Sequence, residues 1–143
     1  MIRRAQAYAP GTGDAPALVL AEPLSFWGGV DVETGQIIDR SHADLGRTVA
    51  GTILVMPGGR GSSSSSAVLA ETIRRGTAPA AIVLAIPDPI LTVGAIVAQT
   101  LYGVECPIVV CDITGIVTGD RLRVRADGFG SAEVEDNKTG DLF

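Results

Sequence analysis

The side chains best suited to chemistry lie in one stretch, Gly58-Gly59-Arg60-Gly61 followed by five serines, Ser62 to Ser66. An arginine offers a permanently charged, two-pronged donor for a carboxylate or a phosphate. Glycines let the backbone approach a ligand closely. A helix that starts within the serines would add free N–H groups and a positive dipole end, both of which attract anions. A serine in that field has its alkoxide stabilised and can act as a general base toward a proton on carbon. The same serines can equally do no more than cap the helix. Spacing alone leaves ligand binding and a structural turn both open.

Better-known phosphate and hydrolase patterns do not fit. A P-loop needs a lysine before its Ser/Thr, and none is present here. The dinucleotide pattern becomes Gly59-Arg60-Gly61-Ser62-Ser63-Ser64, without the third glycine and without an acidic residue about 20 positions on. A Ser-His-Asp triad would depend on His42, the single histidine, in a polar segment that reads as an exposed loop. Cys106 and Cys111 cannot complete a four-ligand metal site alone. They read as small buried apolar residues, so no metal ligand is assigned in this chain.

The elements around the serines explain why a flexible linker is the wrong reading. Residues 51–56, GTILVM, form a continuous apolar run, as expected of a strand buried on both faces. After the serines, Val68, Leu69, Thr72 and Ile73 share one helical face. Arg74 and Arg75 fall in the last turn, then Gly76 and Pro79, which marks a helix end. Residues 80–86 give the next buried strand. Asp88 and Pro89 suit an N-cap and first turn, with a helix running to Gly103. Residues 107–110 form a third strand. The serine stretch thus sits at the carboxyl end of a parallel strand, a usual ligand position.

Both ends of the chain are β-rich by pattern. Residues 2–9 and 15–23 read as strands separated by a turn at Gly11 to Asp14. Residues 25–39 read as a glycine-punctuated excursion with a short strand near 36–38, and 41–49 as loop. Residues 121–126 and 131–135 alternate apolar and polar around Asp127-Gly128-Phe129-Gly130, a β-hairpin. The tail, 136–143, reads as loose. The expectation is one α/β domain over 1–143, with no internal linker.

Bulk composition narrows the function class. An apolar fraction of 46 % and a charged fraction of 19 % describe a folded domain. A net charge of −5 with 11 scattered basic residues argues against nucleic acid. The long apolar stretch 78–98 is divided by Pro87-Asp88-Pro89, so no membrane span is expected. Few cysteines and no leader-like N-terminus point to the cytoplasm.

At SFWGGVD (25–31), PGGRGSSSSS (57–66) and TGDRLRV (118–124), with these separations, the chain resembles the small, swivelling subunit of the aconitase X enzymes. The resemblance spans nearly the whole chain. It implies a β/β/α swivelling domain of the aconitase type, with parallel central strands, crossover helices and barrel-like β elements from both termini. It implies a hydro-lyase that acts with a large subunit carrying an iron–sulfur cluster, as a heterodimer or higher assembly. It implies that Ser62, the first serine after the arginine–glycine pair, is the catalytic base. Arg60, Gly61, Ser63 and Ser64 would line the same loop against the substrate. Two substrates are known in such a family, cis-3-hydroxy-L-proline and mevalonate 5-phosphate. The alanine-rich style of the chain and the GRGSSSSS run resemble the first more, although an anion-binding loop serves a carboxylate or a phosphate equally.

Two other function classes remain open at this point. A stand-alone anion- or nucleotide-binding module would use the loop without chemistry. A phosphohistidine swivelling domain would need His42 to be reactive.

Overall fold

The computed structural model describes residues 1–138. Seven strands and two helices follow in the order β1 (Ile2–Ala9), β2 (Gly11–Val19), β3 (Ile53–Met56), α1 (Ser65–Arg75), β4 (Ala81–Leu84), α2 (Pro89–Tyr102), β5 (Ile108–Val110), β6 (Arg121–Ala126) and β7 (Ser131–Asn137). The strands close into one barrel in the order β1-β5-β4-β3-β2-β6-β7. β2, β3, β4 and β5 are mutually parallel. The other pairs are antiparallel, and β1 closes the ring by pairing with both β5 and β7. This is a mixed β/β/α barrel, in keeping with the fold class expected from the sequence.

Strand periodicity divides the core into two. On β3, Leu54 and Met56 face the helices, while Ile53 and Val55 face the barrel interior. β4 repeats the division, with Ile82 and Leu84 outward and Ala81 and Val83 inward. Alternate residues of a strand point to opposite faces, so a strand buried on both faces must be apolar throughout. That is why these strands read as unbroken apolar runs. The interior is filled by Ala and Val more than by larger residues, as a narrow barrel requires.

The helix ends follow their sequence signals. Asp88 accepts from the N–H groups of Ile90 and Leu91 at 3.0 and 3.1 Å, with Pro89 in the first turn. Gly76 and Gly103 close α1 and α2 in left-handed conformation, which favours glycine. α1 and α2 cross closely at Gly94. A Cβ there would stand 2.6 Å from the backbone oxygen of Ser66 and 3.1 Å from its Cα.

Three sequence expectations are corrected. Gly11 to Asp14 is not a turn but the start of β2, paired with β6 from Gly11–Ala126 to Pro16–Arg121. Gly13 is needed there because a Cβ would lie 2.9 Å from the carbonyl oxygen of Ala80. The segment near 36–38 forms only isolated bridges, Val30 with Ile37 and Gln36 with Thr48. β7 runs to Asn137, so Asp136 and Asn137 belong to the barrel rather than to a tail. Lys138 follows the strand and pairs with Asp120, and the remaining residues of the expected tail, 139–143, lie outside the described residues.

A buried carboxylate ties the β5–β6 connection to the end of β7. Asp120 is 1 % exposed, accepts from Val117 N–H at 2.9 Å, and pairs with the Lys138 ammonium. Burial pushes its pKa up, but the Lys138 hydrogen bond, the Val117 N–H and the Lys138 charge together outweigh burial and hold it below the ordinary value. A folded-state pKa below the unfolded one contributes stability above the unfolded value, which is lost as pH falls through the folded value. Asp120→Asn is therefore expected to cost about 1–3 kcal/mol at pH 7. It should also lose less further stability than the wild type between pH 5 and pH 3. Urea unfolding at the three pH values measures both effects.

Candidate functional site

The serine loop lies where two crossover units meet. β3 and β4 are adjacent and parallel, so the turn after β3 (57–64) and the turn after β4 (85–88) stand side by side. Between them is a cleft of about 200 Å³, lined by Gly59, Arg60, Gly61 and Ser62 on one wall and Pro87 to Leu91 on the other. Leu24 and Ser65 complete the lining. Ligands in parallel α/β sheets collect at such carboxyl-end crevices.

The glycines are dictated by the neighbours. A Cβ on Gly59 would meet Asp88 Oδ2 at 1.9 Å, so only glycine lets the loop lie against the α2 cap. Gly61 has φ +105°, a conformation side chains rarely adopt. A Cβ there would meet Ser25 Oγ at 2.3 Å. The loop is thus held from both sides, by the 24–27 segment and by the start of α2.

Ser62 is exposed at the lip of the cleft. Its Oγ accepts a hydrogen bond of 2.9 Å from the backbone N–H of Ser64. Its carbonyl accepts from Ser65 N–H at 3.0 Å, the residue at which α1 begins. The first turn of α1 holds no acidic side chain, so nothing on the helix offsets its positive end. An N–H bond to a serine oxygen and an uncompensated helix terminus both favour the alkoxide over the hydroxyl.

The five serines have separate fates. Ser63 and Ser64 are exposed and are not among the cleft-lining residues. Ser64 occupies the N-cap position, but in helical conformation and without a side-chain cap bond, so the expected serine cap is not made there. Ser65 is buried, and its Oγ accepts from Trp27 N–H at 3.1 Å. Ser66 Oγ donates to the Ile90 carbonyl, linking α1 to α2.

Arg60 is half exposed, and its Nη2 lies 3.5 Å from Asp39 Oδ2. Asp39 is itself held by the Ser41 hydroxyl (2.7 Å) and N–H (2.9 Å), and these two bonds, more than the Arg60 charge, keep its carboxyl below the ordinary value. Arg60 is the single cation of the cleft lining, and Asp88 the single carboxylate. Asp88 is legible in sequence as a helix cap but not as part of the site. The available signal was topological: adjacent parallel strands must bring their following turns together.

His42 corrects a further expectation. It is buried at 5 % exposure rather than exposed. Its Nδ1 accepts from Asp44 N–H at 3.0 Å, which places the proton on Nε2 facing the Glu22 carbonyl at 3.4 Å. Both nitrogens are occupied by local structure, and His42 does not line the cleft. The thiols are equally unsuited to the site. Cys106 is buried, with its pKa pushed up to about 12 by burial, and burial also raises that of Cys111. Among the described residues no group of three or more His, Cys, Asp or Glu could hold a metal ion. The residues present therefore do not fit an iron–sulfur centre. Nor, among them, is any helix long and apolar enough to cross a membrane.

Fold and site together define a mixed β-barrel domain that carries a glycine- and serine-rich loop at a helix N-terminus, beside a cleft at the carboxyl end of its parallel strands. The aconitase X swivel domain family model matches residues 2–133, and the chain belongs to that family. The chain is similar to aconitase X of Thermococcus kodakaraensis in its holo-form, with a TM-score of 0.85 and 33 % identity, covering 96 % of this chain and 99 % of that one. It is 50 % identical over 98 residues to cis-3-hydroxy-L-proline dehydratase of Pseudomonas aeruginosa, covering 68 % of this chain but 17 % of that protein. It is 39 % identical over 127 residues to the phosphomevalonate dehydratase small subunit of Methanothrix thermoacetophila, covering 87 % of this chain and 93 % of that subunit. The chain thus spans about a sixth of the hydroxyproline dehydratase and nearly all of the small subunit.

Proposed function

We propose that this domain supplies the general base of an aconitase X-type dehydratase and works against a larger body that brings the rest of the active site. The carrying observation is Ser62 Oγ, bonded to Ser64 N–H at the start of α1, on the lip of a cleft that also holds Arg60. The Ser62 alkoxide takes the proton from the carbon next to the substrate carboxylate. The electron pair left on that carbon forms the double bond as hydroxide departs from the neighbouring carbon, and the proton taken by Ser62 is released to that hydroxide, so that water is lost and the alkoxide is restored. Arg60 binds the carboxylate, and Gly61 keeps the loop close enough for contact. Ser63 and Ser64 contribute through the backbone. An iron–sulfur cluster, which this family implies, would belong to the larger body, and it would supply a Lewis acid for the departing hydroxyl.

The substrate favoured by the cleft is cis-3-hydroxy-L-proline, converted to a pyrroline carboxylate. One cation and one carboxylate line the cleft, which suits a small zwitterion. A phosphorylated hydroxy acid carries more negative charge than one arginine can match, and Asp88 would repel it. A second reading, mevalonate 5-phosphate, rests on the near-complete coverage of the phosphomevalonate dehydratase small subunit. The assembled enzyme should be given each substrate, and water loss followed by mass spectrometry. Turnover of hydroxyproline with none of mevalonate 5-phosphate is expected, and the opposite result would assign the second substrate.

A further inference from the structure

The outer face of α2 is apolar and uncovered in this chain. Its 14 residues, Pro89 to Tyr102, include no charged side chain. One face, with Leu91, Gly94, Ala95 and Ala98, is buried within this chain. On the other side Val93, Ile96, Val97, Leu101 and Tyr102 are exposed, between 40 % for Val97 and 66 % for Leu101. Ile86, just before the helix, is 61 % exposed. α1 is different: it carries Glu71, Arg74 and Arg75, an ordinary solvated face. A helix apolar all round is normally covered all round, and contiguous exposed apolar patches mark interaction sites.

We infer that the outer face of α2 is the seat of the larger body of the dehydratase, an apolar surface on that body packing along Val93, Val97 and Leu101. This rests on the reading given under Proposed function. Two observations choose that occupant over a second copy of this chain. The first is chain length: the same domain is 17 % of one relative and 18 % of another, so in those proteins most of the chain lies outside this domain, whereas in other relatives it stands as a named small subunit. The second is continuity with the site. Pro89, Ile90 and Leu91 at the start of α2 form a wall of the cleft, and Ile86 lies against Gly58, where a Cβ would come within 3.0 Å of it. A body seated on α2 would therefore also roof the Ser62 cleft. A stable interface takes about 800 Å² from each partner. The α2 stripe supplies its apolar centre, and the loop rim with Trp27, 58 % exposed, extends it.

The test is binding of this chain to a separately purified aconitase X large subunit, by titration calorimetry, with thermal melting as a check on folding. Val93→Glu and Val97→Glu sit on exposed helix positions and should melt like the wild type. Each is expected to weaken binding at least about 30-fold, the scale of an interface hot spot. Phe129→Ser, which removes an exposed apolar side chain from the β6–β7 turn, should bind as the wild type does. Ser62→Ala should also bind normally, so lost turnover with intact binding reports on the base, and lost binding reports on α2. Binding by both α2 variants within threefold of the wild type would overturn the inference, as would a wild-type chain that does not bind. So would a dimer of the isolated chain that Val97→Glu dissolves while binding to the larger subunit persists.

Discussion

Ser62→Ala in the assembled enzyme is expected to lower kcat by 10²–10⁴-fold, the usual contribution of a positioned general base, with KM changed by less than threefold. Ser62 is exposed, and its hydroxyl accepts one bond, from Ser64 N–H. Nothing in the packing of the barrel depends on it. The variant should therefore melt within about 2 °C of the wild type, since surface substitutions away from special features shift stability by no more than about 0.5 kcal/mol. Ser65→Ala should behave differently. It removes the acceptor that holds the Trp27 backbone N–H and leaves a part-buried donor unpaired, so its main effect is on stability. Steady-state kinetics and melting curves on the two variants separate a base from a structural serine within one run of like residues.

Gly94→Leu is expected to be the most damaging change outside the loop. The added side chain begins 2.6 Å from a backbone oxygen and 3.3 Å from Leu69 Cβ, both on α1. Backbone cannot swing aside as the end of a flexible side chain can, so the two helices must part. Overpacking of this kind costs about 3 kcal/mol or more, which for a domain of this size lowers Tm by roughly 10 °C. Ser66 bonds to Ile90 across the same crossing, so the start of α1, and Ser62 with it, should shift as well. Calorimetric melting and the kcat of any folded fraction measure both consequences.

Much of the fold was legible because its signals are local. Gly76, Gly103 and the Asp88-Pro89 pair mark helix ends through backbone chemistry that acts within one turn. Arg121 to Ala126 alternates because one face of β6 lines the barrel and the other meets water. Pairing partners were not legible, because a two-residue period names the buried face and not the strand beside it. Hence β1 closing on both β5 and β7 was out of reach, and Gly11 to Asp14 looked like a turn when Gly11 answers to Glu105 and Pro107 and Gly13 to Ala80 and Ala81. His42 looked exposed by its polar neighbours, yet the Asp44 N–H and the distant Glu22 carbonyl satisfy its ring nitrogens inside. At the site, Arg60, Gly61 and Ser62 could be read from residue type. Asp88 and Leu24 could not, since each reaches the cleft through long-range packing.

The role of Ser62 is tested most directly by following the proton itself. Hydroxyproline deuterated at the carbon next to its carboxylate should be incubated with the assembled enzyme, and loss of deuterium followed by NMR. With wild-type protein, deuterium loss should accompany dehydration. With Ser62→Ala bound in the same complex, the carbon–deuterium bond should stay intact over the same period. Deuterium loss at the wild-type rate from the Ser62→Ala complex would place the base elsewhere.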